Sequence, residues 1–106
     1  MKLITEEIRE TLPPLGGQED KGGDAVAYLK LFTPDAQWTW YGTEHDGQDL
    51  LFGLVSGLET ELGYFRLSEL KNVRGPFGLP VERDLYWEPK LLRKIAPELF
   101  SSKKEG

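Results

Sequence analysis

The sequence predicts an α+β fold, with a small antiparallel sheet of about four to five strands flanked by an N-terminal and a C-terminal helix. Short apolar and aromatic runs separated by tight connections fill the middle of the chain, whereas the longer helical patterns lie at its two ends. No β-α-β unit of ~30 residues fits, which argues against a parallel nucleotide-binding sheet. The length of 106 residues predicts one domain, 1–106, with frayed ends at 1–2 and 101–106.

The N-terminal helix is predicted from its capping pattern. Thr5 can cap it, Glu6 and Glu7 occupy its first turn, where acids suit the positive end of the helix dipole, and a Pro-Pro pair ends it. The next segment, 15–24, holds four glycines, four charged residues and one apolar residue, so we expect a flexible loop there. It does not match a phosphate-binding loop, because no GKS or GKT sequence follows its glycines.

Short alternating patterns predict the strands of the sheet, at 25–32, 38–43, 50–56 and 63–67. Asp46-Gly47 marks the tip of a hairpin between the second and third of them. The single histidine, His45, falls in this turn, and we expect it to be solvated. Trp38 and Trp40 share one strand face, which is either the core side of the sheet or a surface for a partner.

Two further helices are predicted after the strands. Ser68 can cap a brief helix over 68–73. The C-terminal helix is expected from about Pro89 to Phe100, with leucine and isoleucine at helical spacing. Together with the N-terminal helix, this order suggests a sheet covered on one side.

The segment 73–89, VRGPFGLPVERDLYWEP, is the predicted functional region. Two turns, at Arg74-Gly75-Pro76 and Gly78-Leu79-Pro80, fix its backbone, and a short strand over 81–87 is expected to follow them. Rigid loops that carry arginine, acidic and aromatic residues are common binding surfaces. The candidate ligand or partner residues are Tyr41, Arg74, Arg83, Asp84, Tyr86 and Trp87.

Charge and composition limit the classes of partner. Residues 1–65 hold twelve acids and four bases, whereas residues 66–106 hold nine bases and six acids. The chain is therefore too acidic to bind duplex DNA by phosphate neutralisation, but its basic part suits a small anionic ligand. Without cysteine it has no disulfide or thiolate metal site, and no apolar run reaches the length of a membrane span. We expect a cytoplasmic protein that needs no metal or cofactor.

The sequence contains no convincing set of catalytic residues. Glu82 and Asp84 form the best pair of carboxylates, two residues apart on one strand face, and a weak hydrolase that uses them is an alternative. Ion pairing with nearby lysine or arginine is the simpler interpretation of both acids. Ser56 and Ser68 lack the basic partner that a nucleophile needs. The sequence therefore predicts a protein that is not an enzyme.

Three motifs carry a resemblance to a known group of proteins: LFTP with WTWY, ELGYF followed by SEL, and RGPFGLPVERDLYWEP. Together with the opening ITEEIRETLPPL, they resemble a family of short, single-domain bacterial proteins of unknown function, often carried by plasmids, integrative elements and phages. The resemblance covers most of the chain. It implies a protein of a mobile genetic element, and it assigns no catalytic or binding residue.

The function we expect is non-enzymatic binding of a host protein, which inhibits or modulates a host system such as antiviral defence. A second expectation is a small-molecule binder that sequesters a nucleotide-like signal between aromatic and arginine residues. An inhibitor that mimics nucleic acid requires a contiguous acidic surface. The acids available for such a surface are Asp35, Glu44, Asp46, Asp49, Glu59 and Glu61.

Overall fold

A five-stranded antiparallel sheet, a two-stranded sheet and several short helices make up residues 1–100, which are the residues that the computed structural model describes. The predicted α+β class is confirmed. The predicted fraying of 101–106 lies outside the described residues.

The strands are β1 Val26–Ala27, β2 Leu29–Phe32, β3 Thr39–His45, β4 Leu50–Ser56, β5 Thr60–Arg66, β6 Glu82–Arg83 and β7 Lys90–Leu91. The helices are α1 Glu6–Thr11, α2 Leu67–Leu70, α3 Leu92–Ile95 and α4 Pro97–Phe100, with 3-10 turns over Glu19–Asp24. Within residues 1–100 no helix is long and apolar enough to cross a membrane.

The larger sheet has the strand order β5-β4-β3-β2-β6, and all of its pairs are antiparallel. β4 and β5 stay in register from Leu50 opposite Arg66 to Ser56 opposite Thr60. In contrast, β3 contains a bulge, because Gly42 lies opposite Gly53 while Glu44 lies opposite Phe52. β1 pairs with β7 in the smaller sheet.

Apolar side chains cover parts of both faces of the sheet, so the expectation of a sheet covered on one side is wrong. The larger cluster includes Leu31, Trp40 and Leu51 and extends to the N-terminal residues and α2. The second cluster, on the opposite face, packs Leu54 against Leu92 and small residues of the C-terminal region. Trp40 is buried in the larger cluster, with the half-exposed Trp38 stacked on it at 6.1 Å between ring centroids.

The bulge in β3 decides which way two polar residues point. Residues directly opposite each other share a face, so Glu44 lies on the face of Phe52 and His45 lies on the face of the buried Leu51. His45 is 3% exposed, and its backbone N–H donates to the carbonyl of Pro13 at 2.9 Å. Neither ring nitrogen has a hydrogen-bond partner among the described residues. The prediction of a solvated histidine in the turn is therefore wrong.

Glu44 anchors the glycine-rich segment 15–24. Its buried carboxylate accepts hydrogen bonds from the backbone N–H of Gly16 at 2.7 Å and of Gln18 at 3.0 Å. The Gln18 side chain is also buried; it donates to the carbonyls of Val26 and Thr43 and accepts from the Val26 N–H. The sequence predicts a loop without such anchors, and it misses both these bonds and the 3-10 turns that follow.

The predicted helix boundaries are correct at the N-terminus and wrong further along. Thr5 caps α1 by accepting from the Ile8 N–H at 3.1 Å, as predicted. Ser68 lies inside α2 rather than capping it, because its N–H and hydroxyl donate to Asp49. The predicted helix 89–100 begins instead at Leu92, after β7, and is interrupted at Ala96, since a residue before proline disfavours helical geometry.

We predict that Glu44→Ala lowers the free energy of unfolding by about 1–3 kcal/mol, since it leaves buried backbone N–H groups without an acceptor. Chemical denaturation of the parent and the variant measures the difference. Glu59→Ala is the control, because Glu59 is exposed in the turn between β4 and β5. Equal midpoints for the Glu44 and Glu59 variants would contradict the anchoring role.

Candidate functional site

The first half of the segment 73–89 forms a turn built around the carboxylate of Asp35. Oδ2 of Asp35 accepts from the N–H of Phe77 at 2.8 Å and from the N–H of Leu79 at 3.4 Å. Gly75 is required at its position, because a Cβ there would lie 1.6 Å from Asp35 Oδ1. Gly78 has φ +85°, which suits glycine in a tight turn. Phe77 is therefore held at the tip of the turn, 85% exposed.

Arg74 lies at the base of this turn. Its guanidinium donates to the carbonyls of Lys71 at 2.9 Å and Val73 at 2.8 Å, and its backbone pairs with Pro80. These contacts stabilise the start of the turn. The guanidinium of Arg74 is thus bound to backbone carbonyls that lie within three residues of it in the sequence.

The second half of the segment forms another turn, which Asp84 stabilises. Oδ1 of Asp84 accepts from the Tyr86 N–H at 2.9 Å, and Oδ2 lies 3.6 Å from the Lys30 ammonium. The predicted strand 81–87 is wrong beyond Arg83, because the chain turns at Asp84 to form these bonds. Leu85 and Tyr86 project from the turn, and Tyr86 is 90% exposed.

Trp87 attaches this second turn to the sheets. Its indole N–H donates to the carbonyl of Ala27 at 3.0 Å, and its ring lies 5.5 Å from that of Tyr41. Lys30 and Lys90 place their ammonium groups 5.6 and 4.8 Å from the centre of the same ring. Such cation–π contacts and the half-buried position make Trp87 an anchor of the turn rather than a free platform for stacking.

A cleft of about 330 Å³ separates α1 from the segment 83–89. Tyr28, Leu29 and Lys30 contribute to it from β2 and the residue before it, and Ile8 contributes from α1. Arg83 lines the cleft with its guanidinium donating to the carbonyl of Lys2, while its N–H donates to the Met1 sulfur. The first two residues, which the sequence predicts to be frayed, thus both contact Arg83.

The structure brings some of the six candidate residues together and separates others. Tyr41 and Trp87 are in contact, and Asp84 and Trp87 both lie near Lys30. Arg83, Asp84 and Trp87 line the cleft, whereas Tyr86 projects to solvent and Arg74 does not line this cleft. The contributors that the sequence interpretation missed include Lys30, Asp35 and Phe77.

Two of these omissions had a usable signal in the sequence. The alternation in LKLF places Lys30 on the face opposite its leucine neighbours. Phe77 lies between a proline and a glycine, where a turn tip is the expected position. The part played by Asp35 had no such signal, since it lies more than forty residues from the N–H groups that it binds.

One of the six acids available for a nucleic-acid mimic is buried, and three more are bound to the backbone. Glu44 is buried, and Asp35, Asp46 and Asp49 each accept hydrogen bonds from backbone N–H groups. The pKa of Asp46 is lowered chiefly by the N–H of Gln48, and that of Asp49 chiefly by the Ser68 hydroxyl. Four of the six acids in the proposed mimic are thus used to hold loops.

The two carboxylates suggested for a weak hydrolase lie in different surroundings. Both oxygens of Asp84 are occupied, by the Tyr86 N–H and by Lys30. Glu82 is half-buried on β6, where it lies opposite Phe32. Among the described residues no group of three or more histidine or acidic side chains could hold a metal ion.

We predict that the Tyr41 phenol ionises above the ordinary tyrosine pKa of about 10. Burial raises the pKa of Tyr41, and the Asp84 carboxylate raises it further. Folding favours the neutral phenol, so the raised pKa of Tyr41 contributes to the free energy of unfolding. This contribution is fully present below about pH 10 and is lost as the pH rises through the pKa of the folded protein. The difference in phenolate absorbance between the parent and Tyr41→Phe, followed as the pH is raised, measures the pKa of Tyr41.

Asp84→Asn provides the matched control for this titration. Without the carboxylate charge, the Tyr41 pKa moves down towards its ordinary value and remains raised by burial alone. A Tyr41 titration that is the same with and without Asp84 would contradict the assigned electrostatic contribution.

Comparison with known proteins identifies a family. Residues 3–95 match the model of a family described as "Protein of unknown function (DUF2958)". No curated protein and no solved structure matches the chain.

Proposed function

Because the chain belongs to a protein family of unknown function, we propose from its geometry that it is a non-catalytic protein that binds a partner protein through two turns. The binding surface, called here the two-turn surface, consists of the exposed side chains of Phe77, Leu79, Leu85 and Tyr86. One observation carries the proposal. Two turns with fixed backbones hold an aromatic side chain each, Phe77 and Tyr86, almost fully in solvent.

The fixed backbones favour binding on entropic grounds. Association is weakened by the ordering of loops and side chains, and a turn that is already ordered loses less freedom when a partner binds. Asp35 and Asp84 provide this order through their hydrogen bonds to Phe77, Leu79 and Tyr86. Aromatic residues also contribute much of the affinity at protein interfaces.

The two turns are close enough to serve one interface. Four residues of chain lead from Pro80, at the base of the first turn, to Asp84, which stabilises the second. An extended segment of that length spans at most about 14 Å. This is well within the width of a standard protein interface, which takes about 20–30 residues from each partner.

The partner we propose is a host protein, and the process is a host system such as antiviral defence. This part rests on the resemblance of the LFTP, ELGYF and RGPFGLPVERDLYWEP segments to proteins of plasmids, integrative elements and phages. The absence of cysteine from the sequence agrees with action in the cytoplasm. The occupied oxygens of Asp84 support a binding role over a hydrolytic one.

The cleft beside the second turn supports a second candidate function, which is binding of a small, nucleotide-like anion. Its volume of about 330 Å³ is in the range of small-molecule sites. Arg83 and Lys30 supply positive charge at its wall, and Trp87 and Tyr28 supply aromatic surface. Opposing this, Lys30 already pairs with Asp84, and Arg83 already donates to a backbone carbonyl.

We predict that Tyr86→Ala and Phe77→Ala each weaken partner binding about tenfold or more, while their melting temperatures stay near that of the parent. Both side chains are exposed and contribute little to the core. Affinity capture from host-cell extract, quantified by mass spectrometry, identifies proteins retained by the parent. The dissociation constant is then measured with the purified protein that is found.

Leu58→Ala is the matched control, since Leu58 is 96% exposed and lies in the turn between β4 and β5. A partner lost from both aromatic variants and kept by Leu58→Ala supports the proposal. A partner kept by all three variants overturns it. A nucleotide that raises the melting temperature of the parent but not of Arg83→Ala favours the second candidate instead.

A further inference from the structure

The outer edge of β5 is a long strand edge without a partner among residues 1–100. β5 is the last strand of its sheet, and its other side pairs with β4 over all seven residues. An edge strand presents a row of unpaired backbone N–H and C=O groups, which can add a strand from another chain. We propose that β5 pairs antiparallel with β5 of a second copy of this chain to form a dimer.

β5 has few of the features that usually protect a strand edge. Its sequence, TELGYFR, contains no proline and no lysine, and its register with β4 shows no bulge. Charged residues, Glu61 and Arg66, lie towards its two ends and leave the middle uncharged. Natural proteins normally interrupt such an edge by charges, proline or bulges. This edge is therefore suited to pairing.

The exposed side chains of β5 are self-complementary when two copies run antiparallel about Gly63. In that register Leu62 of each copy lies opposite Tyr64 of the other, on the same face. Leu62 is 44% and Tyr64 65% exposed, and the Tyr64 ring is held edge-on to Phe52 at 4.9 Å. Pairing would therefore bury two leucine–tyrosine contacts beside an existing aromatic pair.

The placement of charges is compatible with the same register. Glu61 of each copy lies opposite Phe65 of the other, and Arg66 lies opposite Thr60, so no like charges face each other. A parallel in-register arrangement would instead place like charges together. Gly63, at the two-fold axis, brings no side chain to the contact.

A second copy can pair with this edge over more residues through its own β5 than through β6, the strand at the other edge of its sheet. The opposite edge strand, β6, has two residues, so a head-to-tail contact from β5 to β6 would pair little of β5. Symmetric pairing uses the whole of β5 from each copy. Such isologous two-fold contacts are the commonest form of assembly in homo-oligomers.

Sedimentation velocity of the whole chain across a hundredfold concentration range tests the proposal. We expect a concentration-dependent species of twice the chain mass of 12.0 kDa. Tyr64→Lys and Leu62→Lys should each raise the dissociation constant of the dimer about tenfold or more, because each brings a charge to the contact. Leu99→Lys is the control, since Leu99 is also 44% exposed but lies in α4.

Hydrogen exchange of the parent protein provides a measurement that needs no variant. The backbone N–H groups of β5 should gain protection as the concentration rises, while exposed turns do not change. A monomer at every concentration, or a dimer unaffected by both lysine variants, overturns the proposal. A third outcome is a protein that stays monomeric and whose β5 gains protection only when an extended peptide of another protein is added. That outcome assigns the edge to a different partner and also overturns the proposed dimer.

Discussion

Hydrogen bonds from loop N–H groups to carboxylates order the loops on which the candidate site depends. Glu44 holds the segment 15–24, Asp46 holds the hairpin tip, Asp49 holds the start of α2, and Asp35 and Asp84 hold the two turns of 73–89. No helix among residues 1–100 exceeds six residues, so outside the strands these contacts order segments that helical bonding does not. Charged acceptors make these bonds stronger than neutral ones.

These hydrogen bonds change how the acidic composition of residues 1–65 is interpreted. An acidic N-terminal part suggests a negative surface, but Glu44 is buried, and Asp35, Asp46 and Asp49 have backbone donors within the fold. Their charge therefore contributes to local order as well as to the electrostatic field of the protein. Two of the turns held in this way present Phe77 and Tyr86, which are among the most exposed large apolar side chains, and this directs the functional hypothesis towards protein contacts.

Local patterns predicted much of the fold and part of the candidate site. β4 and the cap of α1 follow directly from alternation and from Thr5, because these signals are local. The burial of His45 was not predictable in the same way, since it depends on an extra residue in β3 that reverses the faces after Gly42. Tyr86, a candidate named from the sequence, projects to solvent, whereas the anchoring role of Trp87 depends on the carbonyl of Ala27, which is 60 residues away in the chain.

In the turns held by Asp35 and Asp84, the backbone shape does not depend on which side chains occupy the tips. Asp35 binds the backbone of Phe77 and Leu79 rather than their side chains, and Asp84 does the same for Tyr86. A backbone N–H is supplied by every residue type except proline, so the turn tips can change without loss of the bonds that hold them. Selection can therefore diversify these positions while the scaffold stays constant, much as antibody loops vary on a constant framework.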